Sequence, residues 1–227
     1  MRRRPILLAV ATGAATLAGC LSDESNDDRT EGGTDDDGLD DGLDDGVSSG
    51  SGTGDTILDR FDGEPERPEC EITAETIDVP SGDAHTEYET AETIPYPDPP
   101  ASVSDEQTVV EYVEDFEHAF VRHDVLCDRS DSNYVLNVGY DVEESRLFDG
   151  DDDVVTVFLY RAGGATWGID DGNEWMTDLA YSGVVYAVDE TGVARVDDDE
   201  ANPWADDDVE SNAPDPLETG ELVASFE

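Results

Sequence analysis

The sequence predicts an α+β fold, in which one long amphipathic helix packs on an antiparallel sheet of about four to six strands. Three observations support this fold class. One stretch, residues 105–126, carries apolar side chains at helical spacing over its whole length. The stretches that follow it alternate or are rich in β-branched residues. The connections between them are short, which favours antiparallel pairing.

A strand and an irregular segment are predicted before the helix. Residues 71–79 alternate moderately between apolar and polar side chains, and the turn residues 80–83 end this strand. Residues 83–103 are predicted to be irregular. The prolines between residues 95 and 100 favour extended, polyproline-like backbone there.

The helix has recognisable start signals and two distinct faces. Ser104 is predicted to be its N-cap, and Gln107 completes a capping-box pattern. Helical spacing places these side chains on one face: Val109, Tyr112, Val113, Phe116, Ala119, Phe120, His123 and Cys127. The other face collects Glu111, Glu114, His118 and Arg122. We therefore expect His118 to be solvated and His123 to lie half-buried at the edge of the core.

The remaining elements are predicted to be strands. They are residues 134–142, 154–161, 179–188, 193–196 and 221–226, with a hairpin turn at residues 189–192. The glycine-rich segment 163–175 is predicted to be a loop that joins two strands. Because loops on a rigid sheet often carry binding residues, Trp167 and Trp175 are candidates for a sugar- or partner-binding patch. In the alternative, both tryptophans fold back to cap the open end of the sheet.

The first nineteen residues have the order of an export signal. Three arginines, at residues 2–4, precede an uncharged, largely apolar run at residues 6–17. That run is too short to cross a bilayer as a helix, which needs about 20 residues. Leu-Ala-Gly-Cys at residues 17–20 resembles the lipobox of prokaryotic lipoproteins, which implies cleavage before Cys20 and lipidation of its thiol. The alternatives are an ordinary signal peptide and an uncleaved N-terminal anchor.

Residues 20–56 are predicted to be a disordered, lipid-anchored stalk. They consist mainly of Asp, Gly, Ser and Thr, with few apolar side chains to form a core. Their acidic runs do not satisfy the calcium-loop pattern, so no metal site is predicted there. Residues 57–227 are then expected to form a single α+β domain.

The charge of the chain is extreme. Sixty acidic residues stand against eleven basic ones, all arginine, for a formal net charge of −49. Self-repulsion of this size opposes a compact state at low ionic strength. At about 1 M salt the screening length falls to about 3 Å, which removes most of that repulsion. The composition therefore predicts a protein adapted to high salt, and the lack of a basic patch argues against nucleic-acid binding.

Several of these features together resemble cell-surface lipoproteins of halophilic archaea. They are the twin-arginine-like signal at Arg3-Arg4, the lipobox, the Asp/Gly/Ser stalk and the acidic domain without lysine. The motifs Arg67-Pro68-Glu69-Cys70, Ile94-Pro95-Tyr96-Pro97 and Tyr112…Phe116-Glu117…Phe120 are similar to those of an uncharacterised group of such proteins. The resemblance implies an extracellular, membrane-anchored location in brine, and it implies no activity.

The cysteine count predicts one disulfide. If Cys20 carries lipid, Cys70 and Cys127 remain as a pair in an exported protein. The alternatives are two buried thiols and a metal site shared with His123. The ligands are scattered along the chain and lack compact zinc spacing, so the disulfide is favoured.

The sequence motifs predict no catalytic residue, cofactor or metal. The chain contains no Gly-x-Ser-x-Gly, His-Glu-x-x-His or phosphate-loop motif. We therefore expect a non-enzymatic, monomeric lipoprotein on the extracellular face of the cell membrane, whose domain binds a small ligand or an envelope partner. The alternatives are a hydrolase that uses carboxylates and a structural component of the envelope.

Lowering the salt concentration should destabilise the protein. Between about 1 M and about 0.1 M NaCl the screening length grows from about 3 Å to about 10 Å, so repulsion among carboxylates returns. We expect the midpoint of thermal unfolding, followed by circular dichroism, to fall by about 2–4 °C for each kcal/mol of stability lost. KCl should restore it as well as NaCl does. Equal midpoints at both concentrations would contradict the adaptation to high salt.

Overall fold

The structure is a computed structural model that describes residues 56–81, 84–127, 133–148, 153–202 and 209–226. The predicted signal peptide, Cys20 and all but the last residue of the predicted stalk lie outside the described residues. Within the described ranges, no helix is long and apolar enough to cross a membrane.

The described chain combines one long helix with a six-stranded antiparallel sheet and a separate hairpin, which confirms a mixed helix-and-sheet fold of the predicted size. The helices are α1 (Ile57–Arg60), α2 (Glu106–Cys127), α3 (Val209–Asn212) and α4 (Pro216–Thr219). The strands are β1 (Thr76–Ser81), β2 (Ala84–Glu89), β3 (Asn133–Phe148), β4 (Val155–Asp170), β5 (Asn173–Met176), β6 (Tyr181–Val188), β7 (Gly192–Asp198) and β8 (Glu221–Ser225).

The large sheet has the strand order β3-β4-β6-β7-β8, and β5 adds to one end of β4. All its neighbouring strands are antiparallel, as predicted, and the connections are short except for the one between β7 and β8, which contains α3 and α4. The register of β3 against β4 shifts near Asn137 and between Val142 and Glu144. Such irregularities bend a strand and increase its twist.

Helix α2 packs its apolar face on one side of this sheet. The main core joins helix residues such as Val113 and Phe116 to Leu159 of β4, Tyr186 of β6 and Val223 of β8. Side chains that point to the other side of the sheet, such as Phe158 and Val185, pack against the segment around α3. The central strand β6 is therefore buried on both faces, and this explains why its sequence is continuously apolar rather than alternating.

The predicted capping box is wrong by one residue. The Oδ1 atom of Asp105 accepts a hydrogen bond from the backbone N–H of Thr108 at 3.4 Å, so Asp105 takes the capping role. The backbone N–H of Ser104 instead donates to Ser102 Oγ. The side chain of Gln107 donates to Glu111, one turn further along the helix. Aspartate caps a helix as well as serine does, so composition alone did not separate the two positions.

The prediction of an irregular segment at residues 83–103 is also wrong in part. Residues 84–89 form β2, which pairs with β1 from Thr76 to Ser81. Strand β2 is mostly exposed, so its side chains do not show the apolar alternation that marks a half-buried strand. At its base, the N–H of Ala91 donates to the carbonyl of Val135 and links the segment to the edge of β3.

The segment 163–175 is not the predicted loop. Strand β4 continues to Asp170, and a tight turn at Asp171 and Gly172, both with positive φ, leads into β5. The glycines in β4 allow close contacts instead of marking a loop. A Cβ atom at Gly163 would lie 2.9 Å from the Val121 side chain of α2, and one at Gly168 would lie 2.3 Å from the Trp175 ring.

A disulfide joins Cys70 to Cys127, as the cysteine count predicts, with 5.7 Å between their Cα atoms. It ties the extended segment before β1 to the last residue of α2. The bond closes a chain separation of 57 residues. In the chain-entropy treatment, a loop of this length contributes about 4 kcal/mol to stability.

Candidate functional site

Helix α2 buries a carboxylate in its apolar face. Glu117 has no exposed side-chain surface. It lies one turn after Val113 and one turn before Val121, so it sits within the stripe of side chains that meets the sheet. This spacing was the available signal in the sequence, but among sixty acidic residues it did not single out Glu117.

Three strands supply the partners of this carboxylate. Arg161 of β4 donates from Nε to Glu117 Oε1 at 2.7 Å. Arg195 of β7 donates from Nε to Oε2 at 3.0 Å and from Nη2 to Oε1 at 3.2 Å. The hydroxyl of Tyr186 on β6 also donates to Oε2. The register places Tyr186 directly opposite Arg195, so the sheet delivers both groups to the same point.

The four donors fill both oxygens of Glu117. A buried ion pair is stable only when its remaining hydrogen-bonding capacity is satisfied, and here it is. Arg195 also makes a two-pronged pair with Asp197, with both N–O distances at 2.8 Å. Arg161 donates from Nη1 to Ser182 Oγ at 2.9 Å. We call Glu117, Arg161, Tyr186, Arg195 and Asp197 the ion-pair cluster; two positive charges balance two negative ones within it.

The protonation states of the cluster are held in place by its surroundings. Burial, and then the charge of Glu117, raise the pKa of the Tyr186 hydroxyl well above its ordinary value. Burial by itself lowers the pKa of Arg195, but the charge of Glu117 and the hydrogen bonds to Glu117 and Asp197 raise that pKa overall. Tyr186 therefore remains a neutral donor and Arg195 remains a cation.

A groove of about 400 Å³ opens beside the cluster, between the second half of α2 and the strands that carry the arginines. One wall is apolar and consists of Phe120, Val121 and Val125 of the helix. The guanidinium group of Arg195 lies over the Phe120 ring at 4.2 Å and joins this wall to the floor. Apart from Gly163, the other lining residues are polar or charged: Asp124, Arg161, Ser182, Arg195, Asp197, Asp199 and Glu221.

The groove is net acidic. Four carboxylates line it against two guanidinium groups. Both guanidinium groups already pair with Glu117 and Asp197. The arginines therefore stiffen the floor and offer little positive charge to a ligand.

The two predicted binding tryptophans do not share a surface. Trp167 of β4 lies opposite Met176 of β5, whereas Trp175 lies opposite Gly168. Because successive residues of a strand point to opposite faces, the two indoles lie on opposite sides of this arm of the sheet. Trp175 packs against the core beside α2, and Trp167 makes a T-shaped contact with the Tyr88 ring. A binding role for either residue stays a prediction.

The histidines of α2 are more enclosed than their positions predict. His118, expected to be solvated, is half-buried and stacks on the Tyr140 ring at 4.7 Å. Burial, and then the charge of Arg122, lower the pKa of His118. His123 is buried rather than half-buried and lies beside the disulfide. Neither histidine lines the groove.

Comparisons with known proteins identify no relative from which the role of the site could be inferred. No protein-family model matches the chain, and no curated protein or solved structure matches it either. The ion-pair cluster and the groove beside it are therefore the basis of the functional argument.

Neutralising the buried carboxylate should strongly destabilise the fold. Replacing Glu117→Gln leaves Arg161 and Arg195 buried with Asp197 as their remaining anionic partner within the cluster. We expect a loss of about 3–5 kcal/mol in the free energy of unfolding, measured by urea titration at constant high salt. Glu114→Gln, on the same helix and outside the cluster, is the matched control and should change stability by less than about 0.5 kcal/mol. Equal effects of the two substitutions would contradict the role assigned to Glu117.

Proposed function

We propose that this chain is a lipid-anchored protein of the outer face of the cell membrane, and that its folded part binds a small ligand in the groove. The order of the N-terminal segment and the lipobox-like residues before Cys20 support the anchor. The Cys70–Cys127 disulfide supports an oxidising location, because such bonds persist outside the reducing cytosol. The net charge of −49 supports surroundings of high salt.

The groove is the observation that carries the binding proposal. Ligand sites are typically concave, largely pre-formed, and lined by apolar side chains with a few placed polar groups. The groove is concave and has an apolar wall of three helix residues, but most of its other lining residues are polar or charged, so it is a more polar site than is usual. Its volume of about 400 Å³ lies within the usual range for small molecules. Its floor is rigid because Arg161 and Arg195 are only 12% and 8% exposed and are held by Glu117.

The charge of the groove selects the ligand class. An anion would meet four carboxylates, and the two arginines are already paired, so its approach is unfavourable. A neutral or cationic polar molecule finds hydrogen-bond acceptors on Asp197, Asp199 and Glu221 and an apolar strip along α2. We therefore propose a compact neutral or cationic ligand.

The same geometry favours binding over hydrolysis at this position. A general base needs a lone pair within reach of the proton that it removes. Glu117 has both oxygens occupied by charged or hydroxyl donors, so neither is placed to take a proton from a substrate. The carboxylate at the centre of the cluster therefore acts as an anchor for the two arginines.

The proposed lipid anchor is tested by removing the thiol of Cys20. In the source organism, the wild-type protein should fractionate with membranes and dissolve only in detergent, whereas Cys20→Ser should appear in the soluble fraction or the medium, because the lipid has no attachment point. The Cys70→Ser, Cys127→Ser double variant controls for loss of a cysteine and should remain with the membrane. Membrane retention of Cys20→Ser would contradict lipid anchoring.

The groove is tested on the full chain, purified from source membranes. Native mass spectrometry in concentrated ammonium acetate should show the protein with an additional bound mass. Glu221→Arg changes the charge at the groove and should remove that mass. Glu218→Arg makes the same exchange at an exposed position of α4 outside the groove and should keep it. A bound mass that persists in both variants, or is absent from the wild type, would contradict the proposal and favour a structural role.

A further inference from the structure

Three potential metal ligands meet at the end of α2, and none of them lines the groove. They are Cys70, His123 and Cys127, and their ligand atoms all lie within 4.8 Å of one another. His123 and Cys127 are one helical turn apart on the same face, and Cys70 is brought to them by the segment before β1. The scattered spacing in the sequence argued against such a site, but the fold gathers the three residues.

The orientation of His123 is that of a metal ligand. Its Nε2 atom lies 2.9 Å from the carbonyl oxygen of Ile94, so Nε2 carries the proton and donates it. The lone pair of Nδ1 is then directed toward the cysteines, 4.0 Å from Cys127 Sγ, and accepts a long hydrogen bond of 3.5 Å from the Cys70 N–H. Metal-binding histidines almost always anchor their second nitrogen on a carbonyl or carboxylate in this way.

The imidazole ring is also held by its neighbours. Tyr96 stacks on it with nearly parallel planes and 4.8 Å between the ring centroids. The guanidinium group of Arg67 lies over the Tyr96 ring, 4.3 Å from its centroid. The Tyr96 hydroxyl donates to the carbonyl of Pro68 and fixes the stack to the segment that carries Cys70. Apart from the long hydrogen bond that Nδ1 accepts from the Cys70 N–H, the disulfide makes no use of the imidazole lone pair.

We propose that reduction of the Cys70–Cys127 disulfide creates a site for one thiophilic metal ion, Zn²⁺ or Cu⁺, on two thiolates and His123 Nδ1. A dithiol reductant supplies two electrons and two protons; its own sulfurs form a disulfide while the Cys70–Cys127 bond breaks to give two thiols. The ion then replaces the two thiol protons, which are released. Metal binding and the disulfide are mutually exclusive, because the same two sulfurs serve both.

The donor set suits such an ion. In tetrahedral sites Zn–S bonds are about 2.3 Å and Zn–N bonds about 2.0–2.1 Å, so ligand atoms lie roughly 3.5–3.8 Å apart. The Nδ1–Sγ distance of 4.0 Å is already close to that separation. Soft thiolates favour Zn²⁺ and Cu⁺ over the hard cations that carboxylates attract. The site is thus selective within a very acidic protein.

The first measurement is a Zn²⁺ titration of the full chain at high salt, in competition with a chromogenic chelator. After treatment with a phosphine reductant, we expect one Zn²⁺ to bind per chain, with an affinity at least about tenfold above that of the oxidised protein. The oxidised protein is the baseline, because its many carboxylates bind Zn²⁺ without a defined site. No gain on reduction would overturn the proposal.

The second measurement assigns the ligands. His123→Gln should lower the affinity of the reduced protein at least about tenfold, since changes even to outer-shell partners of a metal cost about 10–100-fold. His118→Gln, on the same helix but stacked on Tyr140, is the control and should leave the affinity unchanged. Equal zinc affinities in the two variants would overturn the proposed site. This outcome includes the case in which the reduced chain unfolds and its thiols bind zinc without His123.

A third measurement uses the wild-type protein and does not depend on the folding of a variant. X-ray absorption of the zinc-loaded, reduced protein should show two sulfur ligands and at least one imidazole nitrogen. Stoichiometric Zn²⁺ should also slow reoxidation by oxidised glutathione at least about tenfold. A zinc coordination shell without imidazole, or a reoxidation rate that is the same with and without Zn²⁺, would overturn the proposal.

Discussion

The buried ion pair between Glu117 and Arg195 is the interaction on which the rest of this structure depends. It joins the middle of the long helix to three neighbouring strands, because Arg161, Tyr186 and Arg195 reach the same carboxylate from β4, β6 and β7. Burying these charges is favourable only if every partner is present. The cluster therefore sets both the rotation of α2 and its position along the sheet, and the groove follows from that position.

The helix is held at a second point by the disulfide at its end. Cys127 attaches α2 to the segment before β1, while Glu117 attaches it to the sheet. Between the two points lies the stretch with Val121 and Val125, which forms the apolar wall of the groove. Two fixed points on one rigid helix make this wall pre-formed, so the proposed ligand would not have to order it on binding.

High salt acts differently on the surface and on the cluster. Screening weakens interactions between exposed charges, both the repulsion among the many carboxylates and the attraction within surface pairs such as Arg67–Glu69. A buried pair is screened much less, because ions do not enter the interior. Two of only eleven arginines, Arg161 and Arg195, are placed where added salt weakens their ion pairs least.

The sequence by itself determined the long helix, the antiparallel strands after it and the Cys70–Cys127 pair, because periodicity and cysteine count are local or countable properties. Tertiary structure decided the rest. In the sequence, the glycines of β4 suggest a loop. In the structure they lie in a strand, where the Val121 and Trp175 side chains occupy the space that a Cβ atom would need. Glu117 resembled any other acidic residue until the register of β6 and β7 brought Tyr186 and Arg195 to it. His123 joined two distant cysteines only through folding. The role of a charged or small residue depends on neighbours that are remote in sequence, and only the packing of helix, strands and connecting segments selects them.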